Sequence, residues 1–441
     1  MSIQNFPAAL QPIIQSGYLE RAFDEALTAR LGFRAIADRE EFGNRVGETI
    51  TKTRPGLLPV VTTPLNPATN TGLDNGLTPG GWTVEQYTLA IAEYGSTLNL
   101  NTVQDRVGIA SQFVQNAVAL GEQARRSLDT LARDALFGVY LGGNSRVRTA
   151  LTAAGPAVAI DDLRGFGLSS AQLAAGKTGV AIPVSAQTVT IGSSTYTLAS
   201  LTIDATNVST APNGVSGTLT LTGNVSATDG AANNPIVVAT APLVLRPNGR
   251  TSTVALVAGD TLSMVGTVML AANTMRDNGV PDIDGLYNCY LSNMALQGLF
   301  NDPQFQLLFR GAYGADAYRR GTIVEIGGVR FIPTNNTPLP QALGNGLTVR
   351  RSIVCGKGAL IEGDFAGQDA ADTPQDLYVK SVIDGISMIT REPMDRLAEQ
   401  IAQSWKWIGG FCVPSDMTAN PSTLPTASNS AYKRAVVIES L

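Results

Sequence analysis

Small and apolar residues recur at alternating steps of three and four between residues 103 and 141, which predicts one long helix. The stripe consists of Val103, Val107, Ala110, Val114, Ala117, Gly121, Ala124, Leu128, Leu131, Ala135 and Val139. Charged side chains lie off this stripe, and no proline interrupts the segment. At about 1.5 Å per residue the helix is expected to be on the order of 55 Å long, much longer than an average globular helix. We call this predicted helix the spine.

Alternating steps of three and four are also typical of a coiled coil, which is the competing interpretation of the spine. Nearly half of the stripe is Ala or Gly, however, at positions where a coiled coil prefers Leu, Ile or Val. Small residues allow a helix backbone to approach a sheet closely. We therefore expect the spine to lie flat on a β-sheet.

Polar and apolar residues alternate with a period of two at residues 46–53 and 82–100, which predicts strands before the spine. The intervening residues 54–81 are rich in Pro, Gly, Asn and Thr. A loop of this length inside a compact domain is uncommon unless it has a function. We expect a long hairpin that reaches a neighbouring subunit, because two strands without a core beneath them are only marginally stable. Upstream, residues 18–30 predict an amphipathic helix.

The composition changes after the spine. Residues 167–268 carry few charges and are dominated by Thr, Ser, Val, Ala and Gly. Turn sequences separate the strands predicted there, at residues 180–191, 195–203, 214–222, 236–245, 251–257 and 261–268. This pattern favours an inserted all-β module, either a small sandwich or a barrel.

Mixed helical and strand patterns resume at residue 269. The predicted elements are a helix at 270–276, a strand at 287–291, a helix at 293–300, a hairpin at 321–333, strands at 349–355 and 377–388, a helix at 394–408 and a final strand at 432–438. The fold class predicted for the whole chain is therefore α+β.

Composition removes several classes of function. Only 15% of the 441 residues are charged, against roughly 25% in ordinary soluble domains, which suggests that partners cover much of the surface. The net charge of −5 provides no basic surface for tight nucleic-acid binding. No uninterrupted apolar segment is long enough to span a membrane, and the first residues do not have the pattern of a signal peptide. We expect a protein that folds in the cytoplasm without a membrane partner.

The chain contains no histidine, which removes the common catalytic triads and the usual histidine-containing zinc sites. Its three cysteines, Cys289, Cys355 and Cys412, are far apart and form no CxxC pair. We expect three reduced thiols, most of them buried.

Two short motifs resemble ligand-binding loops. Residues 171–178, AQLAAGKT, fit a relaxed phosphate-loop pattern, but a helix-like segment precedes them and a strand pattern follows, which is the reverse of the order that phosphate binding requires. Asp282 and Asp284 before Gly285 resemble the start of a calcium loop that lacks its later ligands. A linker and a turn are the favoured interpretations.

Two further groups are candidate sites. Glu362 and Asp364 form an acidic pair with no basic residue close in sequence, and we expect them in a solvated loop. Trp405, Trp407 and Phe411 are expected to belong to the core or to a subunit interface. The sequence therefore predicts no catalytic residue, no cofactor-binding residue, no cofactor and no metal ligand, and hence no enzyme.

The order of these parts resembles the major capsid protein of tailed double-stranded-DNA bacteriophages, whose fold is usually called HK-ninety-seven. The segments GLYNCYLSNMALQGLFNDPQF and RRGTIVEIGGVRFIPTNNTP are similar to the family's axial domain. The segments MITREPMDRLAEQIAQSWKW and YKRAVVIES are similar to the end of its peripheral domain. The resemblance covers most of the chain outside the β insertion.

The resemblance implies an organisation into six parts. These are an N-terminal arm at 1–45, an extended hairpin loop with its base at 46–101, a peripheral domain with the spine at 102–166, the inserted all-β domain at 167–268, an axial domain at 269–374 and the returning peripheral strands and helix at 375–441.

The resemblance also implies a function in the virion. Copies would assemble in the host cytoplasm into hexamers and pentamers of an icosahedral head, with a scaffolding protein, a portal, possible decoration proteins and only weak contact with packaged DNA. Some relatives join subunits covalently through a lysine in the extended loop. No lysine occurs between Lys52 and Lys177, so we expect no covalent ladder on a denaturing gel of mature particles.

The alternative function is a glycan-binding or adhesive module formed by the β insertion. Such a module needs an exposed aromatic platform, and Tyr196 is the one aromatic residue in the sequence of the insertion.

Overall fold

The structure is a computed structural model, and it describes residues 32–42, 49–55, 64, 84–101, 112–168, 177–211, 213–307, 325–338, 341–342, 346–365, 378–391, 400–414 and 432–441. The strands are β1 Ala37–Phe42, β2 Thr49–Pro55, β3 Val84–Ala90, β4 Ala92–Asn101, β5 Asn144–Arg146, β6 Gly155–Ile160, β7 Ala181–Pro183, β8 Thr188–Ile191, β9 Ser194–Ile203, β10 Gly217–Val225, β11 Pro235–Val238, β12 Val244–Leu245, β13 Tyr287–Leu291, β14 Glu325–Ile326, β15 Val329–Pro333, β16 Gln341–Ala342, β17 Thr348–Cys355, β18 Leu360–Phe365, β19 Tyr378–Ile383, β20 Ile386–Arg391, β21 Gln400–Cys412 and β22 Ala435–Ser440. The α-helices are α1 Gln112–Tyr140, α2 Leu270–Asp277 and α3 Asn293–Phe300.

The chain divides into two compact units. Unit 1 consists of Met1–Lys52, Thr88–Arg133 and Leu360–Cys412, and unit 2 consists of Thr53–Tyr87, Asp134–Ala359 and Val413–Leu441. Mixed helices and strands in both units agree with the predicted α+β class. The six-part division drawn from the resemblance stays a prediction.

Unit 1 is a sheet with the first part of the long helix lying on it. Its strand order is β1-β18-β21-β20-β19, and β4 also pairs with β21. The buried face of α1 presents Ala117, Leu120, Ala124 and Leu128 to a cluster that contains Trp405 and Trp407. The two small residues let the helix lie close to the bulky indoles. A helix is confirmed at residues 112–140, and the expectation that it lies on a sheet is confirmed for residues 117–128, whereas the predicted start at 103–111 lies outside the described residues.

The helix predicted at 394–408 is wrong from residue 400 onward, because β21 occupies Gln400–Cys412. Ile401 and Trp405 are four residues apart, which fits a helix, but Gln403, Trp405 and Trp407 are buried while the residues between them are half-buried. That alternation has a period of two, and Trp and Ile favour strands. The strand predicted at 377–388 is also corrected, to the hairpin β19–β20. Its turn residues Asp384 and Gly385 both have positive φ angles, as a tight two-residue turn requires.

Gln403 is fully buried beneath α1, and neither polar atom of its amide has a hydrogen-bond partner in the described part of the chain. We expect Gln403→Leu to raise the free energy of unfolding by about 1–2 kcal/mol, because it removes two unsatisfied buried groups. Urea unfolding would measure this change. Gln400→Leu is the matched control on the exposed start of β21 and should change stability by less than about 0.5 kcal/mol. A loss of stability in Gln403→Leu would contradict the argument.

The predicted β module lies in a closed barrel in unit 2, which also takes in β5 and β6 from before residue 167. The strands follow the order β5-β11-β8-β9-β10-β6, with β7 also pairing β9. A bridge between Val147 and Ile160 joins the first strand of this order to the last. The barrel interior is filled by buried apolar side chains, among them Val158, Val189, Leu198, Leu201, Leu219 and Ile236. Because the barrel is closed, the edges of β5 and β6 that face each other are not open. Open edges are often protected by charged side chains, so a closed barrel can have few of them.

The strands predicted at 251–257 and 261–268 are wrong. The first region contains a 3-10 turn at Thr253–Ala255, and the second contains a π-helical turn at Met264–Met269 that leads into α2. Met264, Thr267 and Val268 are buried, at the spacing of three and four that a helix produces. The β-branched residues beside them favour strands, which is why the sequence predicted strands here. In the structure, the packing of the buried residues against the sheet formed by later strands outweighs that preference.

The remainder of unit 2 is a second sheet, with the strand order β12-β22-β17-β13-β15-β14 and with β16 paired to β17. All six residues of β22 are buried, and β12 and β17 pair with its two edges. Helices α2 and α3 pack on this sheet through Ala271, Met275, Ala295 and Leu299. The structure confirms the helices and strands predicted at 270–276, 287–291, 293–300, 349–355 and 432–438, with small shifts at their ends.

Candidate assembly surfaces

The residues that the structure describes offer no candidate metal site. Within them, no group of three or more His, Cys, Asp or Glu side chains could hold a metal ion. In the same described set, no helix is both long and apolar enough to span a bilayer.

Of the two loop motifs, the structure tests only the second, because most of the first lies outside the described residues. Residues 171–176 lie outside the described part of the chain, and Thr178 forms an isolated parallel bridge with Ile203. The Asp282 carboxylate accepts a hydrogen bond from the Gly285 backbone N–H at 3.2 Å. Asp284 occupies the left-handed region of the same turn. The second motif is therefore a turn closed by its own side chain.

The prediction of a solvated loop for Glu362 is wrong. Glu362 lies in β18, and its side chain is 1% exposed. The Arg34 guanidinium donates to it from Nη2 at 2.6 Å and also pairs with Asp384 at 2.9 Å. Arg34 is 328 positions away in sequence, so no local pattern could reveal this partner. The ion pairs fasten the segment before β1 to the sheet of unit 1.

The aromatic residues near the chain end belong to the core of unit 1, which is the first of the two places expected for them. Trp407 is fully buried, with its ring 5.7 Å from that of Tyr94 and 5.5 Å from that of Phe411. Trp405 donates its indole N–H to Gln123 of α1 at 3.1 Å. These contacts fix the helix on the sheet.

The cysteines behave as structural thiols. Cys289 and Cys355 are buried, Cys412 is half-buried, and none of the three forms a disulfide bond in the part of the chain that the structure describes. Burial raises the pKa of Cys289 to about 12 and raises that of Cys355 as well. The expectation of reduced, mostly buried thiols is confirmed, and the two buried thiols are chemically inert near neutral pH.

Strands β2 and β3 form a two-stranded ribbon, and no third described strand pairs with either of them. Leu89 anchors the base of the ribbon, since it is fully buried and packs where Gly363 leaves room for it. The exposed residues of the ribbon include Thr49, Thr51, Gln86 and Thr88. A two-stranded ribbon with open edges is only marginally stable by itself, and its open edges can pair with another strand.

Unit 1 also carries an open groove along α1. It is lined by Tyr94, Gly95, Ser96, Glu122, Gln123, Arg126, Ser127, Thr130, Leu131 and Trp405. In unit 2, several apolar side chains on or beside the helical segments are exposed, with Met294 at 55% and Leu307 at 71%. These surfaces are suited to contacts with other chains.

The strongest charge network lies in unit 2, in a cleft that we call the polar cleft. It is lined by barrel residues including Arg146, Asp161, Asp162 and Arg164, and by residues beside or within the second sheet including Arg246, Ser252, Gln341, Arg351 and Glu439. The cleft therefore joins the barrel to the sheet.

Glu439 is the centre of this network on the sheet side. Its carboxylate accepts hydrogen bonds from Arg246 Nε at 2.8 Å, Arg351 Nε at 3.0 Å and Thr253 Oγ1 at 2.8 Å. Burial raises the pKa of Glu439, but the two guanidinium groups outweigh burial and hold the pKa at about 2. Glu439 is therefore ionised at every pH at which the protein is expected to fold.

Hydrogen bonds continue from Glu439 to the barrel. Arg351 Nη2 donates to Gln341, and Gln341 Nε2 donates to Thr210 Oγ1 at 2.9 Å. The Thr210 hydroxyl donates to Asp161 at 2.6 Å and accepts from Arg146 at 2.7 Å. A chain of side chains thus connects the barrel to the last strand of the protein.

Comparison with solved structures found similar chains at low sequence identity. The capsid of Ralstonia phage GP4 matches with 14% identity and a TM-score of 0.48, covering 92% of this chain and 87% of that one. The capsid of cyanophage P-SCSP1u matches with 11% identity and a TM-score of 0.44, covering 91% and 86%. The capsid of cyanophage Pam1 matches with 14% identity and a TM-score of 0.42, covering 90% and 87%. All three are phage capsids.

No protein-family model matches the sequence, and no curated protein was found as a relative. Because the identities are low and the TM-scores lie below 0.5, function has to be argued from the residues of this chain.

Proposed function

We propose that this chain is the major coat subunit of a tailed-phage head and that many copies form hexamers and pentamers of a closed shell around double-stranded DNA. The observation that most strongly supports this proposal is that two features occur together in one chain. A ribbon of two strands has no further described strand to cover it, and a 29-residue helix lies on a sheet through small residues. A rigid platform with an uncovered arm is suited to repeated contacts between identical subunits.

The surfaces of the chain support a structural role in a shell. Only 15% of residues are charged, and apolar side chains such as Met294 and Leu307 stay exposed in a single copy. An acidic net charge of −5 suits a shell that must not hold its genome tightly during packaging. The proposed location is the virion, with assembly in the host cytoplasm guided by a scaffolding protein and a portal.

The buried carboxylates of the described residues favour a structural role over an enzyme. Five of them, Asp161, Asp162, Asp260, Glu362 and Glu439, accept hydrogen bonds from arginines. Asp229, a further buried carboxylate, accepts hydrogen bonds from Tyr196 and Ser226, and the bond from Tyr196 is the main reason that its pKa is well below the usual range. Carboxylates held in this way fasten elements together and are poorly suited to act as general bases.

The glycan-binding alternative is disfavoured by Tyr196. Its hydroxyl donates to Asp229 at 2.8 Å, and its ring is half-buried against the barrel core. An aromatic platform for sugars needs an open ring face and a free polar edge. Tyr196 instead fastens one end of the barrel.

Shortening the ribbon tests the proposed assembly. We expect a variant in which an Asn-Gly turn replaces residues 56–83 to keep its far-ultraviolet circular dichroism and melting temperature but to lose shell formation, because the arm can no longer reach a neighbour. Sedimentation velocity of the full chain and the variant, each produced with its scaffolding protein, would measure this. Shells formed equally by both proteins would contradict the proposed role of the arm.

A further inference from the structure

The polar cleft carries more positive than negative charge. Four arginines line it, Arg146, Arg164, Arg246 and Arg351, together with three carboxylates, Asp161, Asp162 and Glu439. The most enclosed of these groups are Glu439, Arg351 and Asp161, whose side chains are 2%, 4% and 4% exposed. One positive charge in the cleft therefore has no carboxylate of its own among the lining residues.

The ion pairs in the cleft show that the excess positive charge lies on the side of the second sheet. Arg164 donates two hydrogen bonds to Asp162, at 2.7 and 3.0 Å, and Arg146 pairs with Asp161 at 3.3 Å. On the other side, Arg246 and Arg351 share the single carboxylate of Glu439. The excess positive charge thus lies between these two arginines.

Arg351 also has an unused hydrogen-bond donor. Its Nε and Nη2 atoms bind Glu439 and Gln341, whereas its buried Nη1 atom has no partner in the part of the chain that the structure describes. Burying a charge or a donor without compensation costs several kcal/mol, so an anion that accepted a hydrogen bond from this donor would offset part of that cost.

The cleft has room for a small occupant. Its volume is about 50 Å³, which exceeds the roughly 10–15 Å³ needed for one water molecule. Pockets for small organic ligands are larger, on the order of 300–1,000 Å³. The size selects a monatomic or similarly small inorganic anion over a metabolite or a peptide carboxylate.

We propose that the polar cleft binds a small inorganic anion, with chloride as its simplest representative, which compensates the charge shared by Arg246 and Arg351 and so strengthens the junction between the barrel and the second sheet. The site is independent of the proposed coat function, since it needs only one copy of the chain. The bound anion would have a structural role and would not be a substrate.

Thermal unfolding of the full-length protein tests the proposal. Sodium chloride is exchanged for sodium gluconate at constant ionic strength, because gluconate is too large for the cleft. At about five times the dissociation constant, chloride should raise the melting temperature by about 1–2 °C. An unchanged melting temperature across the exchange would overturn the proposal.

Two matched variants separate the cleft from general salt effects. Ser252 lines the cleft, and its hydroxyl caps a turn by accepting from the Ala255 N–H. Asp is an equally good cap, so Ser252→Asp adds a negative charge with little change of local structure. This variant should lose the dependence on chloride. Ser292 caps α3 in the same way and is not a cleft residue, so Ser292→Asp should keep the full dependence. Equal responses of both variants would overturn the proposal.

Bromide locates the ion directly. Anomalous scattering from crystals of the full-length protein soaked in sodium bromide should place a bromide beside Arg246 and Arg351. Density that contains only water there, or bromide confined to the protein surface, would overturn the proposal even if chloride changed the melting temperature.

Discussion

Glu439→Gln is expected to lower the free energy of unfolding by about 3–5 kcal/mol, because it removes the carboxylate that Arg246 and Arg351 share and leaves both charges buried. Gln and Glu have nearly the same size. The loss of stability would therefore reflect the missing charge and not a change in packing. Urea unfolding measured at neutral pH and low salt would give the change, since urea does not screen the ion pairs.

The matched control is Glu325→Gln. Glu325 pairs with Arg330 at 3.3 Å on the surface, with its side chain 44% exposed, and such pairs contribute at most about 1 kcal/mol. If Glu439→Gln and Glu325→Gln lowered stability by the same small amount, the polar cleft would not be the junction described here.

The same residue predicts a dependence on pH. The pKa of Glu439 is about 2 in the folded protein against an ordinary value of 4.5. Because the folded pKa is the lower of the two, its contribution to stability is present above about pH 4.5 and is lost as the pH falls towards 2. The difference in unfolding free energy between the native protein and Glu439→Gln should therefore shrink as the pH falls from about 5 to about 3. The size of this decrease should be on the order of the free energy that corresponds to the pKa shift of Glu439.

Trp407→Ala is expected to cost about 3–5 kcal/mol of unfolding free energy. Trp407 is fully buried, contacts Tyr94 and Phe411, and belongs to the cluster that joins the sheet of unit 1 to α1. Removing the indole leaves a cavity that the surrounding aromatic rings can fill only in part. Chemical unfolding followed by circular dichroism would measure the loss.

Trp407→Phe is the informative comparison. The indole N–H of Trp407 has no hydrogen-bond partner among the described residues, so its removal carries no hydrogen-bond penalty. The Phe variant should cost less than about 1.5 kcal/mol. A loss as large as that of Trp407→Ala would mean that the N–H has a partner and that packing is not the main contribution of this side chain.

Much of the fold could be predicted from local patterns. The stripe of small residues predicted a helix lying on a sheet, and Ala117 and Ala124 do face Trp405 and Trp407. Turn sequences and β-branched residues predicted an all-β module, and the structure shows most of it within a barrel. The errors arose where two periods fitted one segment. Ile401 and Trp405 satisfy a helix and a strand equally well, and only the burial of Gln403 and Trp407 separates the two.

The polar cleft and the Arg34 network could not be predicted from sequence. Glu439 and Arg351 lie 88 positions apart, and Gln341 and Thr210 lie 131 positions apart. The local pattern around Glu362 predicted solvent exposure because its partner, Arg34, is at the opposite end of the chain. Ion pairs of this kind depend on strand register across a sheet, which no local spacing specifies.

Electron microscopy of the purified full-length protein, alone and with its scaffolding protein, tests the central proposal most directly. A coat subunit should form closed shells, tubes or six-fold capsomers in at least one of the two conditions. A protein that stayed monomeric in both would contradict the proposed coat function.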